Sequence, residues 1–146
     1  MAMIREAHST WTGDLPTGRG TVGVASGVFD GLETTWRART EAAEGKTSPE
    51  ELLAAAHASC FAMASSNNLA KAGFPVDRAE VTVKVTADRR EAGWTVISSE
   101  ISLRASVPGV DEETFRTAVN GAKEGCPISR ALAGNVEISL EASLES

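Results

Sequence analysis

An α+β architecture, with antiparallel sheets wrapped around a long central helix, follows from three features of the 146-residue chain. Period-two alternation recurs in several windows, and one long apolar helical segment lies between them. The elements run strands, helix, strands, helices, strand, rather than in repeating strand–helix units. No repeat, low-complexity stretch or linker divides the chain, so one domain over residues 1–146 is expected. A chain of this length buries a sizeable core without a structural disulfide or metal.

Gly20 to Phe29 and Thr34 to Thr40 read as strands about a turn at Asp30-Gly31. Ser48 then opens the long helix with a capping serine, Pro49 at the first helical position, and Glu51 three residues after the cap as a capping box. The helix is expected to run to about Ala72, where Gly73 and Pro75 stop it. Its Ala, Leu, Ser and Met residues make it apolar nearly all round, which predicts burial on more than one side. Val81, Val83 and Val85 alternate with Thr82, Lys84 and Thr86, and Ile97, Ile101, Leu103, Ala105 and Val107 share one parity. A second helix begins at Asp111, after the turn Pro108-Gly109, and reaches about Glu124. Gly125 ends it, and Pro127 opens a short helix through Ile128 to Leu132. Val136, Ile138, Leu140, Ala142 and Leu144 alternate with polar residues as a last strand.

A formal charge of -6 and a pI near 5.0 argue against a nucleic-acid partner, which needs clustered lysines and arginines. The densest basic spot, Arg89-Arg90, is followed at once by Glu91. The least polar stretch, Leu52 to Met63, is interrupted by His57 and falls short of the roughly 20 apolar residues that span a membrane. No charged-then-apolar leader opens the sequence, so a soluble, cytoplasmic protein without a membrane partner is expected. In a reducing compartment its two cysteines point to catalysis, redox sensing or a metal before a scaffold bridge.

Cys60 lies about twelve residues into the long helix, beyond the reach of the positive N-terminus, whose influence fades within about one turn. An active Cys60 therefore needs a cation from elsewhere, and the competing reading is a small buried apolar residue. Cys126 stands at the start of the helix opened by Pro127, where N–H groups favour a thiolate, or it serves only as a small cap. Glu50 precedes Cys60 by ten residues, about 15 Å along a helix axis. It either complements the helix dipole or, if it serves Cys60, comes from another subunit. Arg37 and Arg39, on one face of the expected strand, and Arg19 in Gly18-Arg19-Gly20 are the candidate cations, each with a solvated surface role as the alternative. His57, three residues before Cys60, is either a proton partner or a buried, hydrogen-bonded histidine. A closed zinc site would consume His57, Cys60, Cys126 and His8, every sulfur and imidazole ligand of those types in the chain, and no metal or other cofactor is expected.

The segments SPEELLAAAHASCFAMA, Ser48 to Ala64, and VPGVDEETFRTAVNGAKEGCPISRAL, Val107 to Leu132, resemble the two cysteine motifs of the OsmC/Ohr family, osmotically inducible and organic hydroperoxide resistance proteins. The opening WTGDLPTGRGTV, Trp11 to Val22, and His57 within the first motif resemble the OsmC branch. The resemblance spans essentially the whole chain. It implies an OsmC-like fold in an intertwined homodimer with active sites at the subunit interface. It also implies a thiol-dependent peroxidase acting on organic hydroperoxides, and less efficiently on hydrogen peroxide. By similarity Cys60 is the peroxidatic thiol, Cys126 resolves it as a Cys60–Cys126 disulfide, and Glu50 with an arginine polarises the peroxide. Arg39 matches the OsmC-branch arginine, with Arg37 its competitor, while Arg19 is only loosely similar to the early arginine of the Ohr branch. A lipoyl protein, thioredoxin or small dithiol would then reduce the disulfide. The alternative is a non-enzymatic redox-sensing or ligand-binding dimer built on the same pair.

Overall fold

The computed structural model describes residues 1–145, and the chain divides into two units, Met1–Leu52 and the part from Leu53 on. In the first, β1 (Ala7–Thr12), β2 (Arg19–Val24) and β3 (Leu32–Thr34) form an antiparallel sheet in that order. All six residues of β1 are exposed, so no alternating burial marks it, and it is defined only by pairing with β2 from Ala7↔Val24 to Thr12↔Arg19. The strand expected over Gly20 to Phe29 stops at Val24. Gly27 takes φ +77, a conformation easy only for glycine, and donates its N–H to the Val24 carbonyl at 3.0 Å.

The strand expected over Thr34 to Thr40 is corrected to a helix, α1 (Trp36–Thr40). Thr35 is extended, at φ -140 and ψ 158, and its Oγ1 accepts the Ala38 N–H at 3.0 Å, the geometry of an N-cap. The alternation of Trp36, Arg37, Ala38 and Arg39 imitates a strand, but the cap immediately before it, Thr35, decides the conformation. Arg37 and Arg39 therefore do not share a face, because two helical steps turn a side chain by about 200°.

Helix α2 (Pro49–Lys71) begins as expected, with Glu51 N–H donating to Ser48 Oγ at 3.1 Å. The return arm of the box is absent: Glu51 accepts the Thr47 hydroxyl at 3.0 Å instead. Gly73, at φ +94, ends the helix, and Phe74 N–H returns to the Leu69 carbonyl at 2.9 Å. Burial on several sides is corrected to one stripe within the chain, His57, Phe61, Ser65 and Leu69 at four-residue spacing. Alanines placed all round the helix conceal from the sequence which face the larger side chains bury. Ala55, Ala56 and Met63 are exposed.

In the second unit, β4 (Arg78–Arg90), β5 (Gly93–Ser106) and β6 (Glu137–Glu145) form a sheet in the order β4-β5-β6. β4 and β5 make an antiparallel hairpin, whereas β6 runs parallel to β5, against the antiparallel expectation. The reason is the connection: α3 (Glu112–Gly125) and α4 (Pro127–Leu132) form the crossover that a parallel pair requires. Asp111 caps α3 by accepting the Thr114 N–H at 2.8 Å, and Phe115, Ala118, Val119 and Ala122 form its buried stripe. These pack with Phe61 and Leu69 of α2 and Ile101, Leu103 and Ala105 of β5 into one core, which Cys126 joins.

Candidate active site

Cys126 is at once the last residue of α3's ladder and the cap of α4. Its N–H donates to the Ala122 carbonyl and its own carbonyl accepts the Arg130 N–H, both at 2.9 Å, with Pro127 at the first position of α4. Being pinned from both sides, it is completely buried, while Cys60 on α2 is half-exposed. Both thiols are free, and they are close enough for each to bear on the other's ionisation.

Burial pushes the Cys60 thiol up, and the neighbouring Cys126 pushes it further; the Ile128 N–H, at the start of α4, works in the opposite direction. The expectation that Cys60 receives no helix-terminus help is thus amended: its own helix gives none, but α4 does. Burial also pushes Cys126 up, yet it is outweighed by the Cys60 thiol, the Ser129 N–H, the Ser129 hydroxyl and the Ile128 N–H, and Cys126 lies below its usual range. The two thus titrate as one system.

His57 is buried, and both its ring nitrogens are occupied: Nδ1 by Ser99 Oγ and Nε2 by Ser129 Oγ, each at 2.7 Å. Burial lowers its pKa, which keeps the imidazole neutral. Of its two sequence readings the structure gives the hydrogen-bonded histidine. Among the described residues no cluster of three or more His, Cys, Asp or Glu is arranged to hold a metal ion. Ser99 and Ser129 were not singled out from sequence, although each left a trace. Ser99 interrupts the inward parity of Ile97, Ile101 and Leu103, and Ser129 stands three residues after Cys126, where a cap's partner belongs.

The other two candidates meet in the first unit. Arg39 Nε lies 3.0 and 3.1 Å from the two carboxylate oxygens of Glu50, and its Nη2 is 2.7 Å from Oε1, a forked pair. The Glu50 side chain is only 15% exposed, and the Arg39 guanidinium lies 5.7 Å over the Trp36 ring. Arg37 instead pairs with Glu41 at 3.0 Å along α1, and Arg19 opens β2. Among the described residues no helix is long and apolar enough to cross a membrane.

A family model described as OsmC-like protein matches residues 41–141. Peroxiredoxin OsmC of Escherichia coli is 38% identical over 146 residues, covering 100% of both chains. The organic hydroperoxide resistance protein of Xanthomonas axonopodis pv. citri is 31% identical over 144 residues, 94% of each. The crystal structure of the organic hydroperoxide resistance protein OhrB of Bacillus subtilis matches with a TM-score of 0.70 at 28% identity, over 94% of this chain and 98% of that one. With a family match over most of its length and a full-length relative, the chain belongs to the OsmC-like protein family.

Proposed function

We propose that this chain is a thiol-dependent peroxidase that reduces organic hydroperoxides, and hydrogen peroxide less efficiently, to alcohols and water. The observation that carries the reading is the thiol pair: two free cysteines that bear on each other's ionisation, one accessible to a substrate and the other sealed behind it. The relatives named as a peroxiredoxin and as organic hydroperoxide resistance proteins support the same chemistry. Cys60 thiolate attacks the distal oxygen of the hydroperoxide; the O–O bond breaks, an alkoxide leaves and is protonated, and Cys60 becomes a sulfenic acid. Cys126 thiolate then attacks the Cys60 sulfur, an S–S bond forms and hydroxide leaves. A dithiol reductant, such as a lipoyl protein, thioredoxin or small dithiol, reopens the disulfide, so no cofactor enters the cycle.

Within one chain burial and the neighbouring Cys126 push the Cys60 thiol up, so Cys60 needs a cation to become the attacker. Arg39, oriented by Glu50, supplies it in this reading. Ten helical residues, about 15 Å along an axis, separate Glu50 from Cys60. The pair serving one Cys60 therefore comes from a second copy in a homodimer, with the whole chain acting as one domain in the reducing cytoplasm. The exposed Ala55, Ala56 and Met63 on α2 give such a partner apolar surface to cover.

Turnover of cumene hydroperoxide with a dithiol tests the reading. Cys60→Ser is expected to abolish it, and Cys126→Ser to leave a Cys60 sulfenate that dimedone traps. Full turnover in Cys60→Ser, or one oxidation per chain that stops with dithiol present, would assign the pair to another role, the second outcome being that of a sensor.

A further inference from the structure

The fork between Arg39 and Glu50 uses one edge of the guanidinium and leaves another. The group is planar, with one N–H donor on Nε and two on each Nη. Glu50 accepts from Nε at 3.0 and 3.1 Å and from Nη2 at 2.7 Å, which occupies the side edge. Nη1 and the second Nη2 proton make up the end edge, two parallel donors without a hydrogen-bond partner among the described residues. A side-edge fork by itself leaves the guanidinium plane free to rock about the line that joins it to the carboxylate. Trp36 supplies the stop. It stands three residues before Arg39 in α1, on the same helix face, and the guanidinium carbon lies 5.7 Å from its ring centroid. The Thr35 cap directly precedes Trp36 and fixes its backbone. The Arg39 side chain keeps 36% exposure against 15% for Glu50, so the contacts that hold the guanidinium do not seal it.

We propose that Trp36 is a positioning residue for Arg39: with the indole against one face of the guanidinium and Glu50 on its side edge, the end edge carrying Nη1 is the one that meets the hydroperoxide. The inference rests on the reading that Arg39 serves Cys60. A hydroperoxide presents two adjacent oxygens, and negative charge grows on the leaving one as the O–O bond breaks. Two parallel donors already held in place stabilise that charge without reorganising. A lysine carries the same charge as a point, so it cannot fork onto Glu50 and still offer a flat second edge.

Three measurements on the full chain test this. In the NMR spectrum, Arg39 side-chain protons are expected to carry the upfield shift of an overlying indole, and Arg39 Nε–H to exchange about tenfold faster in Trp36→Leu. In Cys126→Ser protein, where Cys60 is the remaining thiol, adding Trp36→Leu is expected to raise the pH midpoint of Cys60 alkylation by about half a unit, a threefold loss of thiolate at fixed pH. Trp36→Leu is also expected to lower kcat/KM for cumene hydroperoxide by about tenfold. Trp36→Phe, which keeps a flat ring, is expected to restore most of each value, and Arg39→Lys to lose as much turnover as Arg39→Ala. An unmoved exchange rate or midpoint in Trp36→Leu, equal losses in Trp36→Phe, or native kcat/KM in Arg39→Lys overturns the proposal. Exchange and alkylation need no peroxide, so a chain that turned over no hydroperoxide would overturn the proposed function and leave those two arms to decide this one. If Trp36→Leu does not fold, the parent spectrum decides, and Arg39 protons without the indole shift overturn the proposal.

Discussion

At the residue scale the sequence singles out the two thiols and Arg39, but not what holds that arginine in place. Cys60 and Cys126 stood out as the two cysteines in unlike settings, and the structure brings them together. The family resemblance favours Arg39, and Arg37 competes with it only because the alternating stretch around them imitates a strand. In the structure Arg37 belongs to an exposed pair with Glu41, while Arg39 is forked onto a mostly covered Glu50 and backed by Trp36. A guanidinium so held is preorganised, and preorganised donors of this kind are worth about 3 kcal/mol each. Arg39→Ala is therefore expected to lower kcat/KM for cumene hydroperoxide by about 100-fold. It is also expected to raise the pH midpoint of Cys60 alkylation, measured in Cys126→Ser protein. Arg37→Ala is expected to change either by less than about threefold, as befits an exposed ion pair. Equal effects of the two substitutions would remove Arg39 from the site.

At the scale of elements, α1 is the weakest link in that arrangement. Isolated helices shorter than roughly 12 residues are marginal, and this one has five. It depends on the Thr35 cap and on the i,i+4 pair of Arg37 with Glu41. Thr35→Ala removes a cap worth about 1 kcal/mol. Because Arg39 lies in the last turn, the expected result is a several-fold fall in kcat/KM with a smaller version of the Arg39→Ala pH shift. Thr35→Ser is expected to restore both in the same assays. A Thr35→Ala enzyme with native kinetics would show that Arg39 is held by Glu50 and Trp36 alone. Element ends with a stated chemistry, such as the Ser48 cap, the Gly73 stop and the Gly125-Cys126-Pro127 junction, were readable in advance. The direction of β6 was not, since alternation specifies a face and says nothing of the neighbour.

For the whole molecule, the buried imidazole couples the core to pH. Its pKa is lowered on folding, so between its unfolded value near 6.5 and its folded value the unfolded chain binds a proton that the native chain refuses. Stability contributed by neutral His57 is thus present above pH 6.5 and is lost as pH falls through that window, by at most about 1.4 kcal/mol per pH unit. Asp14, Glu80 and Asp111, held low by their hydrogen-bond donors, lose theirs only below ordinary carboxylate values of 3.8 to 4.5. Urea midpoints are therefore expected to fall between pH 7 and pH 5, and the slope is expected to flatten in His57→Gln. An unchanged slope in that variant would place the pH dependence elsewhere.

The sequence alone determined the α+β class, the bounds of the long helix at Ser48 and Gly73, and membership of one family through two cysteine motifs, a resemblance that implies Cys60 and Cys126 act together. Each rests on short-range chemistry or on linear pattern: a cap, a left-handed glycine, an alternation, a motif spacing. The tertiary structure decided what depends on contacts between distant residues. It turned Trp36–Thr40 into a helix and separated Arg39 from Arg37. It also brought Ser99 and Ser129, 42 and 72 positions from His57, onto the two nitrogens of one ring. A serine on an inward strand parity announces a buried hydroxyl, but only packing determines which donor or acceptor it meets.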